Sequence, residues 1–356
     1  MFSELNNKTV FSQKLLRWYY RYGRHDLPWQ GSADPYRIWV SEIMLQQTQV
    51  QMVIPYYERF MASFVDVQTL AAASIDRVLD HWTGLGYYAR ARNLHRAAKI
   101  IIDRYGGSFP EEFDQVVALP GVGTSTAGAI LAFAFGQRQP ILDGNVKRVL
   151  ARYHLIAGYP GDAKVTRQLW ELSEDATPHQ DVAAYTQAIM DLGSMICTRR
   201  SPRCSDCPVA PRCAALVTGD VERYPGSRPG RARARRSTVM IMLCDADGQV
   251  LLERRPARGV WGGLWSFPEC PDGQSVSRFC RDRFGVAVTA GQPWKIVRHG
   301  FTHFELEICP QPVRLTGNGV TKVQGTGLVW YKPGTEPGRG LAAPVRRLLT
   351  RLEREA

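Results

Sequence analysis

Residues 119–127 read Leu-Pro-Gly-Val-Gly-Thr-Ser-Thr-Ala and join two stretches with a helical pattern. Two glycines flank one apolar residue, which lets the backbone turn tightly and point its N–H groups outward at the start of a helix. Such a turn binds a phosphate without reading base sequence. The stretch predicts a helix–hairpin–helix that contacts a nucleic-acid backbone. The expected contact residues are Leu119, Gly121, Val122, Gly123 and Ser125.

The hairpin lies in a part of the chain, about residues 9–195, that reads as predominantly helical. Apolar residues from Ile38 to Met44 recur at helical spacing after Asp34 and Pro35, and proline suits a first helical turn. Similar apolar stripes predict helices around 94–102, 146–150 and 185–192.

Two carboxylates lie on either side of the hairpin in sequence. Glu42 is surrounded by apolar residues of the first predicted helix, so it is either a buried structural acceptor or a group whose pKa is raised by desolvation. Asp143 opens a segment that reads Asp-Gly-Asn-Val-Lys-Arg at the start of another helix. Helix capping alone can explain an aspartate there.

Four cysteines follow, spaced C-x6-C-x2-C-x5-C, at Cys197, Cys204, Cys207 and Cys213. Zinc and a [4Fe–4S] cluster both accept four cysteine ligands. Zinc ribbons usually offer two C-x2-C pairs, whereas only one pair here is so spaced, and the wider spans suit a larger cluster. The spacing therefore favours iron–sulfur and leaves zinc open. A cluster that orders this basic loop, residues 197–213, would be structural rather than catalytic.

The formal net charge is +12, with an isoelectric point near 9.5. Lysine and arginine gain affinity for polyanions by releasing counterions from phosphates, although a basic surface can also serve solubility alone. No run approaches the ~20 apolar residues of a membrane span, and no signal peptide is indicated. We therefore expect a protein of the cytoplasm, associated with the nucleoid in a bacterium, without a disulfide framework.

The composition changes after the cysteines, and three regions are predicted. Residues 1–222 form a mainly α domain with the cysteine loop. Residues 223–236 are rich in Pro, Gly and Arg and form a basic linker, which either lies along DNA or is merely solvated. Residues 237–356 form an α+β domain, with a hairpin around 245–248 and strands at 304–308 and 328–331.

These features together resemble the endonuclease III superfamily of helix–hairpin–helix DNA glycosylases, and within it the MutY-type adenine DNA glycosylases. The most specific blocks are residues 41–50, 82–93 and 141–149, and the likeness extends over essentially the whole chain. The cysteine spacing also fits the iron–sulfur loop of that family, which implies a [4Fe–4S] cofactor.

The resemblance implies roles for individual residues. Glu42 matches the acid that protonates adenine at N7 and then helps to activate water, and Asp143 matches the carboxylate that stabilises C1′. Asn145 resembles the residue that orients Asp143. The DNA contacts implied by the likeness are Gln47 and Thr48 as a polar wedge, Tyr87 as a stacking aromatic, and Lys147. Tyr87 has a plainer alternative as a core aromatic.

The C-terminal part resembles a Nudix domain. Residues 261–269 keep the Gly-to-Glu opening of that signature, but residues 277–283 carry arginines where magnesium-binding carboxylates are expected. The fold is therefore expected without pyrophosphohydrolase activity. Phe301, Thr302 and His303 resemble the loop that reads 8-oxoguanine in adenine glycosylases, although a plain turn is the alternative.

Two further functions remain as alternatives. Bifunctional glycosylase-lyases place a Schiff-base lysine where this chain has Ser125, so base removal without strand cleavage is expected. A non-enzymatic DNA-binding iron–sulfur protein would keep the hairpin and the cysteines without needing Glu42 and Asp143. The implied substrate is double-stranded DNA with adenine opposite 8-oxoguanine or guanine, bound by a monomer.

Overall fold

The structure is a computed structural model that describes residues 2–228, 230, 233–271, 273–301, 303–316, 323–332 and 338–355, without the side chains of 2–9 and 355. The chain folds into two compact units. Unit 1 comprises Met1–Ala72 and Asn93–Gly230, and unit 2 comprises Ala73–Arg92 and Arg231–Ala356. No helix in the described ranges is both long and apolar enough to cross a bilayer.

Unit 1 is helical, as the sequence predicts. Its helices are α1 Phe2–Tyr22, α2 Pro35–Leu45, α3 Val50–Ser63, α4 Val67–Ala72, α6 Ala89–Tyr105 (which begins in unit 2), α7 Phe113–Val117, α8 Thr124–Phe135, α9 Gly144–Tyr153, α10 Ala163–Ala176, α11 Val182–Asp191 and α12 Ala214–Val217. A π-helical turn, Leu192–Ile196, follows α11 directly. One core cluster gathers apolar side chains of α1, α8, α9, α10 and α11.

The local signals of the sequence place these helices. Asp34 caps α2, and its carboxylate accepts a hydrogen bond from the Tyr36 backbone N–H at 2.9 Å while Pro35 occupies the first turn. Gly136 ends α8 in the left-handed conformation, with a φ of 64°. The predicted helices that carry Glu42, the hairpin and Asp143 are confirmed.

Within its described residues, unit 2 combines one sheet with three helices. The helices are α5 Ile75–Trp82, α13 Val276–Phe284 and α14 Ala343–Glu355. The strands are β1 Ala234–Cys244, β2 Val250–Arg254, β3 Trp265–Ser266, β4 Glu269–Cys270, β5 Val288–Ala290, β6 Val297–Gly300, β7 Phe304–Leu315 and β8 Leu328–Tyr331. The central order is β3-β2-β1-β7-β5, with β1 and β7 parallel, and β4, β6 and β8 pair with β1, β7 and β2 respectively. The predicted hairpin is confirmed, since Cys244 pairs with Val250.

The structure differs from the sequence prediction at two places. Strand β1 begins at Ala234, inside the segment predicted as a linker, and pairs there with Phe304 of β7. Its first four residues are exposed, so they carry no apolar alternation.

Residues 73–92, predicted within the first domain, group with unit 2. Asp76 of α5 accepts a hydrogen bond from Trp265 Nε1 at 3.2 Å. The domain limits themselves stay a prediction.

Candidate active site

Glu42 lies on α2 and lines a cavity of about 480 Å³. Its neighbours Ser41, Ile43 and Met44 are buried, so protein surrounds the carboxyl except where the cavity opens. Burial raises the pKa of Glu42 to about 8, and the nearby charge of Asp143 adds to the rise. Among the described residues none donates a hydrogen bond to this carboxyl. The group is therefore a protonated acid at neutral pH.

The cavity has the size and the mixed lining of a small-molecule site. Trp29, Ile38 and Phe133 supply apolar and aromatic surface, and Gln187 of α11 supplies a carboxamide. Sequence reasoning missed Gln187 and Trp29, because nothing in their local pattern separates them from ordinary helix and loop residues. A planar, polar-edged molecule such as a nucleobase suits this combination.

Asp143 is the N-cap of α9, so its interpretation as a helix cap is confirmed, while its role in the reaction stays a prediction. Its Oδ1 accepts hydrogen bonds from the backbone N–H groups of Asn145 and Val146 at 2.9 and 2.8 Å, and Oδ2 accepts from Asn145 Nδ2 at 3.3 Å. Burial raises the pKa of Asp143, while these hydrogen bonds and the charge of Arg148 oppose the rise. Asp143 accepts several hydrogen bonds, whereas Glu42 accepts none from the described residues. We therefore expect Glu42, rather than Asp143, to carry a proton at neutral pH.

Arg148 connects Asp143 to the cysteine loop. Its guanidinium donates to Asn145 Oδ1 at 2.8 Å, to the Gly193 carbonyl at 2.6 Å and to the Cys197 carbonyl at 2.7 Å. Gly193 lies so close to Asn145 that a Cβ at Gly193 would stand 2.6 Å from the Cβ of Asn145. Neither Arg148 nor Gly193 was singled out from sequence. The two residues hold Asn145 against Asp143.

The hairpin has the geometry that its sequence predicts. Gly121 has a φ of +84°, and a Cβ there would lie 2.9 Å from the Cβ of Asn93, so both conformation and space require glycine. Val122 and Leu119 are buried and anchor the turn, whereas Gly123 is exposed at the N-cap of α8. The turn therefore presents the backbone at the start of a helix, as phosphate binding needs.

The two hairpin glycines give a matched pair of substitutions. Gly121→Ala is expected to destabilise the fold by about 1–2 kcal/mol. The alanine would have to adopt a left-handed φ, and its Cβ would lie too close to the Asn93 side chain. Gly123→Ala meets no atom within 4 Å and needs no left-handed φ, so it should lower the melting temperature less, through the weaker capping of α8 by alanine alone. It should still weaken DNA binding, because its methyl group occupies the approach of a phosphate. Thermal unfolding and duplex binding of both variants check this, and equal DNA affinity for Gly123→Ala and the parent would contradict the phosphate assignment.

Two side chains join the hairpin to the carboxylate-bearing segments. Gln46, at the end of α2, donates through Nε2 to the Gly121 carbonyl at 3.1 Å. The Ser125 hydroxyl accepts from the backbone N–H of Leu142 at 2.9 Å, directly before Asp143. Ser125, predicted as a DNA contact, thus has a structural task that the sequence did not reveal.

The remaining residues predicted to contact DNA differ in their exposure, backbone conformation and hydrogen bonds. Gln47 is exposed and has a φ of +56°, a strained conformation of the kind that clusters at functional sites, and Thr48 follows it. Lys147 Nζ donates to the Pro160 carbonyl at 3.2 Å. In unit 2, Tyr87 is 49% exposed with a φ of +49°, so it is not a core aromatic. Their contacts with DNA stay predictions.

The four cysteines of the loop line one small cavity. Burial raises the pKa of Cys207 to about 12, and the neighbouring thiols add to the rise. In the described part of the chain, no three His, Cys, Asp or Glu side chains are arranged so that they could hold a metal ion. A four-iron cluster is larger than one ion and needs its thiolates further apart than a single-ion site does.

Arg152 provides the observation that tests whether a cluster fits. It is 2% exposed, and its guanidinium donates to backbone carbonyls, among them Thr198 at 2.6 Å and Tyr224 at 2.9 Å, and to Cys197 Sγ at 3.4 Å. No carboxylate of the described residues forms an ion pair with it. A buried cation needs opposite charge nearby, and metal-bound thiolates supply it. The donor set and this cation fit an anionic metal–thiolate centre.

The predicted damage-reading loop in unit 2 follows β6. Phe301 stacks on Phe304 at 4.5 Å and meets His299 edge-on at 4.8 Å and Trp261 at 5.5 Å. His303 is exposed, and Thr302 lies outside the described residues. The loop is therefore based on an aromatic cluster rather than on a simple turn.

Glu269 of the Nudix-like signature and Glu253 of β2 are both engaged by arginines. Arg255 pairs with Glu269 at 2.7 Å, and Arg283 of α13 pairs with Glu253 at 2.6 Å. Magnesium prefers free carboxylates together with substrate phosphates. These ion pairs support the expectation that the Nudix fold has no hydrolase site.

Comparison with known proteins agrees with this geometry. Residues 40–175 match the HhH-GPD superfamily of base excision DNA repair proteins, and residues 238–351 match the NUDIX domain. A solved structure of a thermostable thymine-DNA glycosylase aligns with a TM-score of 0.55 at 28% identity, covering 60% of this chain and 98% of that one. A non-covalent endonuclease III–DNA complex aligns with a TM-score of 0.52 at 20% identity, over 60% of this chain and 97% of the other, and shows the shared fold.

A relative matched over nearly its full length decides the family. The adenine DNA glycosylase of Buchnera aphidicola subsp. Acyrthosiphon pisum is 35% identical over 342 residues, which cover 96% of this chain and 97% of the relative. The human adenine DNA glycosylase is 35% identical over 321 residues, covering 75% of this chain and 59% of the human protein. With a helix–hairpin–helix glycosylase part followed by a Nudix-type part, the chain belongs to the adenine DNA glycosylases, base excision repair enzymes that hydrolyse N-glycosidic bonds.

Proposed function

We propose that this enzyme removes adenine from duplex DNA where adenine is paired with 8-oxoguanine or guanine, and that it leaves an intact strand with an abasic site. One observation carries the proposal: Glu42 lines a nucleobase-sized cavity, and burial together with the nearby charge of Asp143 raises its pKa to about 8. Adenine is a poor leaving group unless it is protonated, so an acid that is protonated at neutral pH is what the reaction requires.

The mechanism uses the two carboxylates in turn. The target nucleotide must leave the base stack to reach the cavity. Glu42 donates its proton to N7 of adenine, the bond between C1′ and the base breaks, and the bonding electrons leave with the base. Glu42, now ionised, takes a proton from a water molecule whose oxygen bonds to C1′. The logic is that of glycoside hydrolysis by paired carboxylates.

Asp143 faces the positive charge that develops at C1′. Its negative charge stabilises the oxocarbenium-like species, or bonds to C1′ transiently. The hydrogen bonds from Asn145 and from the start of α9 hold the carboxylate in place before the reaction, so little reorganisation is needed. Asn145 is accordingly a positioning residue.

A [4Fe–4S] cluster held by Cys197, Cys204, Cys207 and Cys213 is proposed as the cofactor. When bound it supplies structural order to the loop, not a reaction step. Arg152 would offset its negative charge from inside the protein. The cysteines would keep the 197–213 loop, with its arginines, in place for DNA phosphates.

Metal analysis of the purified enzyme tests this cofactor. We expect iron and sulfide in the ratio of one [4Fe–4S] cluster per chain, and little zinc. Cys207→Ser should lose iron and lower the melting temperature, whereas Cys244→Ser, in β1 outside the loop, should keep both. Zinc in the purified protein with no iron would contradict the assignment.

For unit 2 we propose recognition of 8-oxoguanine by the loop that contains Phe301, Thr302 and His303. The exposure of His303 beside a fixed aromatic cluster supports this role. His303→Ala should lower the rate at adenine opposite 8-oxoguanine much more than the rate opposite guanine. An equal effect on both substrates would contradict the proposal.

The partner is duplex DNA, approached by a single chain at the chromosome, which in a bacterium is the nucleoid. The net charge of +12 supports a polyanionic partner. Gln47 and Thr48 are the proposed wedge beside the flipped base, with Tyr87 near the opposite base and the hairpin and Lys147 on phosphates.

Single-turnover cleavage of four labelled duplexes tests the activity. They contain adenine opposite 8-oxoguanine, adenine opposite guanine, adenine opposite thymine, and thymine glycol opposite adenine, each assayed with and without hot alkali. We expect alkali-dependent breaks in the first two. Breaks at thymine glycol without alkali would instead indicate a lyase that uses a residue other than Ser125.

A further inference from the structure

Asp191, at the end of α11, is a fully buried carboxylate one helical turn after Gln187, which lines the same cavity as Glu42. It accepts hydrogen bonds from Arg24: from the backbone N–H at 2.7 Å, from Nε at 2.9 Å and from Nη2 at 2.5 Å. It also accepts one from Nε2 of Gln187 at 2.8 Å. The ion pair with Arg24 offsets the cost of burying this charge. The contact with Gln187 connects it to the cavity, which Gln187 lines.

The Asp191 carboxylate determines the orientation of the Gln187 side-chain amide. An ionised carboxylate only accepts hydrogen bonds, so the amide must direct its NH2 group toward Asp191. The amide oxygen, an acceptor, is then the group left for a molecule in the cavity. Had Asp191 been a donor, the opposite orientation would be favoured.

Two other polar side chains of the cavity wall, Gln30 and Ser41, are tied to the backbone. The Gln30 amide donates to one backbone group at 3.0 Å and accepts from another at 3.1 Å. The Ser41 hydroxyl donates to a backbone carbonyl at 2.8 Å. Glu42 and Gln187 are not held in this way. They therefore form a pair with which the cavity can read the polar edge of a base.

A protonated carboxyl and an amide oxygen form a donor–acceptor pair. On the major-groove edge, adenine presents N7 as an acceptor and the C6 amino group as a donor, whereas guanine presents two acceptors, N7 and O6. Glu42 can donate to N7 of either purine. The amide oxygen of Gln187 accepts from the amino group of adenine but would face a carbonyl oxygen unfavourably.

We propose that Asp191, held by Arg24, is a positioning residue that locks the Gln187 amide with its oxygen toward the cavity. This lock makes the site selective for a purine with an amino group at C6 over one with a carbonyl group there. The inference rests on the proposed adenine excision and names the device that sets its base preference.

Hypoxanthine is the probe, because it carries a carbonyl at C6 without the 2-amino group of guanine. The measured quantity is the ratio of single-turnover excision rates for adenine and hypoxanthine, both placed opposite 8-oxoguanine. Intrinsic differences between the two leaving groups cancel when variants are compared with the parent. Asp191→Asn is expected to lower the ratio by about 10–100-fold, because asparagine can donate to the Gln187 oxygen and let the amide turn over.

Asp191→Asn also removes the buried ion pair with Arg24, so a second variant controls for that effect. Asp191→Asn combined with Arg24→Gln leaves no unpaired buried charge, and the same fall in the ratio is expected. Gln187→Met should lower the ratio by itself, and adding Asp191→Asn to it should change the ratio no further. Glu174→Gln, which breaks the more exposed ion pair with Arg138, is the control and should keep the parent ratio.

The outcomes separate the inference from the proposed function. An unchanged ratio in both Asp191 variants, with Gln187→Met lowering it, would overturn the lock while leaving adenine excision intact. No excision of adenine by the parent enzyme would instead refute the proposed function. If neither variant folds, the unsubstituted enzyme decides: hydrogen exchange of the Gln187 side-chain amide should be slow, and fast exchange of both its protons would overturn the lock.

Discussion

Glu42→Gln is expected to lower the single-turnover rate of adenine excision by about 10³-fold, the range assigned to a positioned general acid. Glutamine keeps the size of the side chain and its place in the cavity, but it has no acidic proton for N7 and cannot later take a proton from water. The rate is measured as alkali-dependent breaks at adenine opposite 8-oxoguanine. Binding of the same duplex should be nearly unchanged, so the loss belongs to the chemical step.

The control for this substitution is Glu174→Gln, a charge-neutralising change in α10 of unit 1, which should keep the parental rate. A Glu42→Gln variant that excises adenine as fast as the parent would remove Glu42 from the mechanism. Another group would then have to protonate the leaving base.

The pH dependence has a definite direction. The reaction needs Glu42 protonated, and burial raises its pKa to about 8. The rate should therefore be sustained up to about pH 8 and then fall roughly tenfold per pH unit. On the acid side it should fall when Asp143 takes up a proton. Because burial also raises the pKa of Asp143, this fall should begin above the ordinary range of an aspartate.

The raised pKa of Glu42 also means that its ionised form destabilises the folded state. The folded state binds its proton more tightly than the unfolded state, whose pKa is near 4.5. The free energy of unfolding therefore decreases as pH rises from about 4.5 to about 8, and the loss is complete above that range. Glu42→Gln should raise the melting temperature at pH 8 but not at pH 4, which is a trade of stability for activity.

The helices that hold the two acids could be predicted because their signals are local. Asp34 and Pro35 start α2, and the apolar stripe that follows them identifies its buried side. Asp143 marks the start of α9 in the same way. The glycine pattern of the hairpin was equally readable, since Gly121 has the left-handed φ that its sequence context predicts.

Residues that act through long-range contacts could not be predicted. Arg24 and Asp191 lie 167 positions apart, and the sequence around each of them contains no pattern that indicates an ion pair. Gln187 reads as an ordinary helix residue until its partner is known. Sequence reasoning proposed groups for the chemistry and one orienting residue, Asn145. It missed Arg24 and Asp191, because their contacts depend on tertiary packing.

Unit 2 shows the same limit in its secondary structure. An exposed strand rich in arginine has no apolar alternation, so the start of β1 at Ala234 was read as a linker. Its pairing with β7, together with the ion pair of Arg235 with Glu305 at 3.7 Å, becomes visible only in three dimensions. Likewise, residues 73–92 group with unit 2 through partners such as Trp265, 189 positions beyond Asp76.

Asp143→Asn is expected to lower adenine excision by about 10²–10³-fold while leaving the fold intact, in the range observed when one transition-state stabiliser is removed. Asparagine is as good an N-cap as aspartate, so its side-chain oxygen can still accept from the backbone N–H groups of Asn145 and Val146. What is lost is the negative charge that faces C1′. The substitution therefore separates the two interpretations of Asp143, since capping survives and electrostatic stabilisation does not.

Three measurements on this variant distinguish the outcomes. The melting temperature and the iron content should stay close to those of the parent, and the single-turnover rate should fall. Asp143→Ala, which loses both the cap and the charge, should in addition lower stability by about 1 kcal/mol. If Asp143→Asn kept the parental rate while Asp143→Ala lowered only stability, Asp143 would be a helix cap and nothing more. The positive charge at C1′ would then have to be met by Glu42 alone, after it has given its proton to the base.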